Sequence, residues 1–208
     1  MSSSYEQSGR TRQKQRTSAA LIAAARELIA QGHTPTVEDT AVAADISRTT
    51  AYRYFPNQAA LLVASHPEME ARSLLPPNPP ADVEARLEVV VREFTALIAA
   101  TEAQQRATLR LSLQADPTGE GGLPLRQGRA IGWIAEALSP LRESVPDEEL
   151  DRLVLAIRSA IGIEALVWLT DVAGLSRAQA ADLMRWSAAA MLHAVICANS
   201  DSVGATNS

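Results

Sequence analysis

Cysteine is nearly absent from this 208-residue chain: Cys197 stands alone, so no internal disulfide can form. The opening MSSSYEQSGRTRQKQR has no apolar stretch of the signal-peptide kind, and a reducing, cytoplasmic setting is expected. Long hydrophobic runs are missing too. The longest nearly uncharged stretch, Trp186 to Ser200, is 15 residues and contains His193. Spanning a bilayer takes roughly 20 apolar residues, so a buried helix and no membrane are expected. Aromatics make up only 4% of the chain, and Val/Ile/Thr runs with period 2 do not occur, while Ala is abundant. That composition favours helices packed closely through small residues, an all-α fold. Catalytic groups are equally scarce. Three histidines, one cysteine, no HExxH, no P-loop and no paired carboxylates at metal spacing argue against an enzyme, a metal site or a cofactor. His66 and Glu70, four apart, make half a site at most. His193 and Cys197 share a helix face at a spacing that permits metal binding or a tuned thiolate, with core packing as the plainer role.

The charge that is present is unevenly divided. Residues 1–60 hold seven Lys/Arg against five Asp/Glu, and the remainder holds twelve against nineteen, for a net charge of −5. Arg10, Arg12, Lys14 and Arg16 cluster ahead of the first helix, suited either to a polyanion or to a solvated tail.

Leu21, Ala24, Ala25, Leu28 and Ile29 recur at helical spacing and predict a helix from about Arg12 to Ala30, with Gly32 as a left-handed cap and Pro35 as a stop. Thr36 and Asp39 form the two ends of a capping box for a second helix over about residues 37–44. Asp45 suits a left-handed turn, Ile46 anchors it, and Ser47 caps a third helix reaching Tyr54. Asn57 opens a fourth. PPNPP at residues 76–80 is a stiff connector, and Asp82 to Ala103 reads as a helix with Val83, Leu87, Val90, Phe94 and Ile98 on one face. Helical segments over Gln104–Leu113 and about Leu125–Leu138 flank the loop DPTGEGG. Two long apolar helices, about 147–172 and 176–199, meet at Gly174. A helix apolar on nearly all sides must be covered on all sides, so a dimer interface of two helices from each protomer is expected.

Residues 36–62, TVEDTAVAADISRTTAYRYFPNQAALL, read as helix, turn and a second helix rich in Arg, Thr and Tyr. This segment resembles the DNA-binding segment of TetR-type regulators over roughly residues 12–65. Its most specific part is Thr50-Ala51-Tyr52-Arg53-Tyr54-Phe55, followed by Pro-Asn-Gln and Leu61. The chain departs from the family pattern at Asp45, where Gly is usual, Ala51 (Leu), Thr40 (an Ile-like residue) and Gln58 (Lys). The resemblance implies a disordered basic arm over residues 1–11, a helix-turn-helix DNA-binding domain over 12–58, a ligand-binding and dimerisation domain over 59–200, and a disordered tail over 201–208.

A double-stranded DNA operator, a small-molecule effector and a second copy of the chain are the partners so implied. Arg48, Thr49, Thr50 and Arg53 are the candidate base readers, since Arg suits guanine O6/N7 and the Thr methyl suits thymine. Tyr52 and Tyr54 are candidate phosphate clamps or packing residues, Ser47 and Thr36 candidate caps and phosphate donors, and Gln58 a neutral substitute for the family's phosphate-binding Lys. Phe94, Arg110, Trp133, Glu164, Trp168 and His193 are candidate effector-binding residues. Glu164 interrupts the apolar run AIGIEALVWL and calls for a partner: Arg110, Arg158, a residue of another subunit or a cationic ligand. The function expected is a ligand-responsive repressor that binds a palindromic operator as a homodimer. The alternative is a helical adaptor or ligand-binding protein with weak DNA affinity, for which Thr40, Ala51 and Gln58 speak.

Overall fold

The computed structural model describes residues 3–65, 72–114 and 129–205, with side chains described over 11–65, 72–113 and 129–199. Every regular element among them is helical. His66, Pro67, Glu70 and the loop DPTGEGG lie outside the described residues. The chain divides into two compact units, one built on Met1–Met69 and Ala103–Arg126, the other on Glu70–Glu102 and Gln127–Ser208.

In the first unit, α1 runs Ser3–Ala30. It begins before the Arg12 expected from the sequence, since a helix already nucleated adds one backbone hydrogen bond for each further residue it orders. Gly32, at φ 87°, ends the helix, and the amides of Gly32 and His33 return to the carbonyls of Ile29 and Leu28. Then come α2 (Val37–Ala43), α3 (Arg48–Tyr54) and α4 (Gln58–Ala64). Leu21 and Ala25 of α1, Val37 and Ala41 of α2, Ala51 and Phe55 at α3, and Leu61 of α4 form one buried core. Leu61 is fully buried in it, so the DNA-binding unit does not stop at residue 58 as the sequence suggested. α1 with the two seven-residue helices α2 and α3 buries too little apolar surface to stand alone, and α4 supplies what they lack. The later helix α6 (Glu102–Gln114) also falls almost wholly in this unit, although Glu70–Glu102 just before it belongs to the other.

The second unit is a bundle of α5 (Val83–Ala100), α7 (Arg129–Ala137), α8 (Asp147–Ile161) and α10 (Arg177–Ala205), with the short α9 (Ile163–Val167). The segment 72–82, including PPNPP, is not helical. α10 packs along α8 and α5, and α7 packs on both of those. Phe94, Ile98, Ile134, Leu138, Leu150, Ile157, Ile161 and Met184 are fully buried. Arg86 of α5 donates from Nε to the carbonyl of Ala137 (3.0 Å) and from Nη2 to that of Glu136 (2.9 Å), satisfying the end of α7. α10 continues to Ala205, so the helix extends into the stretch expected to be a disordered tail.

The expected single helix over 147–172 is broken. At Gly162 the backbone is extended (φ −85°, ψ 176°), and a Cβ there would collide with the guanidinium of Arg158 and the carboxylate of Glu164. After α9, residues Trp168–Val172 form a π-helical turn closed by the amide of Ala173 on the carbonyl of Trp168. Gly174, at φ 74°, then makes the turn into α10. By length and composition Asp147–Val172 is apolar enough to cross a membrane, with mean hydropathy 1.8 in its best window, but it is interrupted at Gly162 and packs into the bundle core.

Candidate nucleic-acid interface

The helix-turn-helix is fixed by local chemistry at each corner. The amide of Asp39 donates to Thr36 Oγ1 (3.1 Å), while the amide and hydroxyl of Thr36 donate to Asp39 Oδ2 at 2.9 and 2.7 Å. That closes the capping box. The backbone hydrogen bond from Thr36 first, and its hydroxyl second, hold the Asp39 carboxyl below its ordinary value of 3.8. Thr40, fully buried, donates its hydroxyl to the Thr36 carbonyl at 2.9 Å, so a polar side chain at this core position is satisfied. Asp45 takes the left-handed turn at φ 53°, and the amide of Ile46 returns to the carbonyl of Ala41. Ser47 accepts from the amide of Thr50 (3.3 Å) and donates its hydroxyl to Thr50 Oγ1 (2.9 Å), capping α3.

One face of α3 is buried through Ala51, and its end is seated by Phe55. The other face is exposed and carries Arg48, Thr49, Tyr52 and Arg53. Four candidate DNA contacts therefore share one outward surface. Thr50 is half-buried and engaged in the cap. Tyr54 is half-buried, packs against the core and lies beneath the guanidinium of Arg53, 5.8 Å from the ring centroid. Packing is thus a large part of its role. Gln13 and Lys14 of α1 join Arg53 and Tyr54 around a cleft of about 400 Å³, a basic recess beside the end of α3.

Gln58 sits otherwise than expected. Its amide donates to the carbonyls of Thr34 (3.2 Å) and Pro35 (3.0 Å), which commits it to the loop ahead of α2. Arg110 of α6 donates to the hydroxyl of Thr34 in that loop at 2.6 Å. It lies in the first unit, a placement that periodicity could not foresee.

Sequence reasoning missed Glu38. Its Oε1 lies 2.5 Å from Arg48 Nη2 and accepts a hydrogen bond from the Tyr52 hydroxyl at 2.9 Å. The bond to Glu38 is the main reason the Tyr52 phenol is pushed above its ordinary value of 10.0. The signal available was an acidic residue in the first turn of α2, ten positions ahead of Arg48.

Of the other effector candidates, Phe94 and Trp133 meet edge to face, with centroids 5.9 Å apart and planes at 66°. Arg158 lies over the Phe94 ring at 5.6 Å and pairs with Glu164 at 3.5 Å. The Trp133 indole donates to the carbonyl of Arg72 at 3.2 Å. Glu164 is exposed rather than buried, because the break at Gly162 turns it outward. Trp168 is 57% exposed and His193 is exposed, so neither lies in the bundle interior. His193 lines a groove of about 320 Å³ between α5 and α10 with Trp186, Leu87 and Val91, and its Nε2 is 3.4 Å from Cys197 Sγ. No group of three or more His, Cys, Asp or Glu among the described residues is placed to hold a metal.

Residues 21–64 match the family model of bacterial regulatory proteins, tetR family, a span that ends where α4 ends. Among curated proteins none matches the chain. The matched span carries Thr36, Asp45, Ser47 and the whole of α3, the elements whose geometry shapes the exposed surface. Residues 21–64 thus carry the helix-turn-helix of the tetR family of bacterial regulatory proteins, the DNA-binding domain of a transcriptional regulator.

Proposed function

We propose that the protein is a ligand-responsive repressor that binds a palindromic operator as a homodimer in the cytoplasm and leaves it when a small molecule binds. The observation that carries the DNA-reading part is the split of α3: Ala51 buried, with Arg48, Thr49, Tyr52 and Arg53 turned outward on a helix capped by Ser47. In this reading α3 enters the major groove, Arg48 and Arg53 pair with base edges, and Thr36, Ser47 and Tyr52 meet phosphates.

Dimerisation is supported by large apolar side chains left open to solvent in the second unit. Leu155 of α8 is 55% exposed, Trp186 of α10 67%, and Trp168 and Val172 between them 57% and 70%. A symmetric operator requires a symmetric reader, and such faces are what a two-fold partner covers. The effector must bind better to the conformation that misfits DNA, and DNA must weaken effector binding by the same factor.

Footprinting on the DNA upstream of its own gene tests the reading. Protection of an inverted repeat is expected, and Arg53→Ala should relax preference at one base position while Tyr52→Phe weakens binding evenly. A chain that protects nothing at low salt would instead be an adaptor with weak DNA affinity. The hold of Glu38 on Arg48 and Tyr52 and the internal use of Gln58 favour that second reading.

A further inference from the structure

Glu38 stands on α2, and its carboxylate reaches across the turn to two outward side chains of α3 at once. The Arg48 guanidinium is also stacked 5.7 Å from the Tyr52 ring centroid, so the three side chains close a triangle. Arg48 remains 72% exposed within it. Capping of α2 does not require this carboxylate, because Thr36 and Asp39 already make the box. An acid paired with Arg48 also opposes the attraction of this surface to a polyanion.

We propose that Glu38 is a specificity-determining residue of this regulator, holding Arg48 for base edges and against indiscriminate phosphate contact, with the Tyr52 hydroxyl bracing the same carboxylate. This rests on the assignment of α3 as the reading helix. Guanidinium has five N–H donors, and the contact with Glu38 uses one nitrogen, which leaves donors for guanine O6 and N7. A guanine edge is neutral and tolerates the neighbouring carboxylate. A phosphate is repelled by it, and to pair with Arg48 it must exchange one ion pair for another. Random-sequence DNA, bound almost wholly through phosphate, therefore loses more from Glu38 than the operator does. The carboxylate also orients the guanidinium before binding, so less side-chain freedom is lost when the base contact forms.

The test compares wild type, Glu38→Gln, Arg48→Ala and the double variant in the full-length chain. The probes are the duplex that wild type selects from a randomised pool and a 30-base-pair duplex of unrelated sequence. Glu38→Gln keeps the side-chain shape and removes only the charge, and matching melting curves verify that the fold is intact. It should tighten binding to the unrelated duplex by about 3- to 10-fold, leave the selected duplex within about 2-fold, and steepen log K against log salt by about 0.9 for each Arg48 released to phosphate. The double variant should lose that gain. If Arg48→Ala weakens binding while Glu38→Gln leaves the ratio between duplexes and the salt slope unchanged, the proposal fails and α3 remains the reader. If Arg48→Ala also changes nothing, the assignment of α3 fails with it.

Discussion

Substitutions at Gln58 test its hold on the loop ahead of α2 and, independently, the room for a phosphate contact at the start of α4. Both hydrogens of the amide go to carbonyls of the loop between α1 and α2, at 3.2 Å to Thr34 and 3.0 Å to Pro35. A hydrogen bond between neutral groups contributes about 0.5–1.5 kcal/mol net. The loop is partly open to water, which re-solvates an abandoned carbonyl, so the pair together is placed at about 1–2 kcal/mol. For a chain of this length that is a fall of about 2–8 °C in melting temperature for Gln58→Ala. Gln58→Lys should fall less, because an ammonium can keep one of the two carbonyls. It should also do what Ala cannot: the cation at the start of α4, where the family usually has Lys, adds a phosphate contact and steepens the salt dependence of DNA binding by about 0.9 log units per subunit. Thermal melts by circular dichroism and binding titrations across a salt series read the two effects independently. Gln58→Ala melting with wild type would refute the loop role. An unchanged slope for Gln58→Lys would refute phosphate contact at this position.

Three further outcomes follow from single positions. Asp45→Gly should raise the melting temperature by about 1–4 °C, since glycine takes the left-handed φ of 53° without the steric penalty of a Cβ, worth about 0.5–1 kcal/mol here. Equal melts would show that Asp45 is held in that turn without strain. Gln104 is buried and its side-chain nitrogen has no hydrogen-bond partner among the described residues. Gln104→Met should therefore stabilise by about 1 kcal/mol, and a lower melting temperature would contradict this. The native Asp39 carboxyl titrates below its unfolded value, so its contribution is full above the ordinary 3.8 and is lost as pH falls through the lowered native value. The stability difference between wild type and Asp39→Asn should shrink over that acid range, and a difference independent of pH there would sink the capping-box assignment. Because Asp39 is exposed, solvent screening keeps the difference small.

Everything the sequence settled was local. Thr36 with Asp39 and Ser47 with Thr50 are pairs three residues apart, and a cap needs nothing beyond its own first turn. The same holds for Asp45 in the left-handed turn and for Gly32 and Gly174 at positive φ, because backbone sterics belong to the residue itself. The outward placement of Arg48, Thr49 and Arg53 was also legible from helical period, while Thr50, grouped with them as a reader, is half-buried and engaged in the cap. What the tertiary structure decided were the partners of charged and polar side chains distant in sequence. Glu38 to Arg48 and Tyr52, Gln58 to the loop at Thr34, and Arg110 to that same loop each join residues on different elements. The helix break at Gly162 belongs with them, because nothing in the apolar run AIGIEALVWL marks which position leaves the helix for an extended backbone. Short-range sterics and capping are written residue by residue, whereas long side chains choose partners by proximity, and proximity exists only after packing.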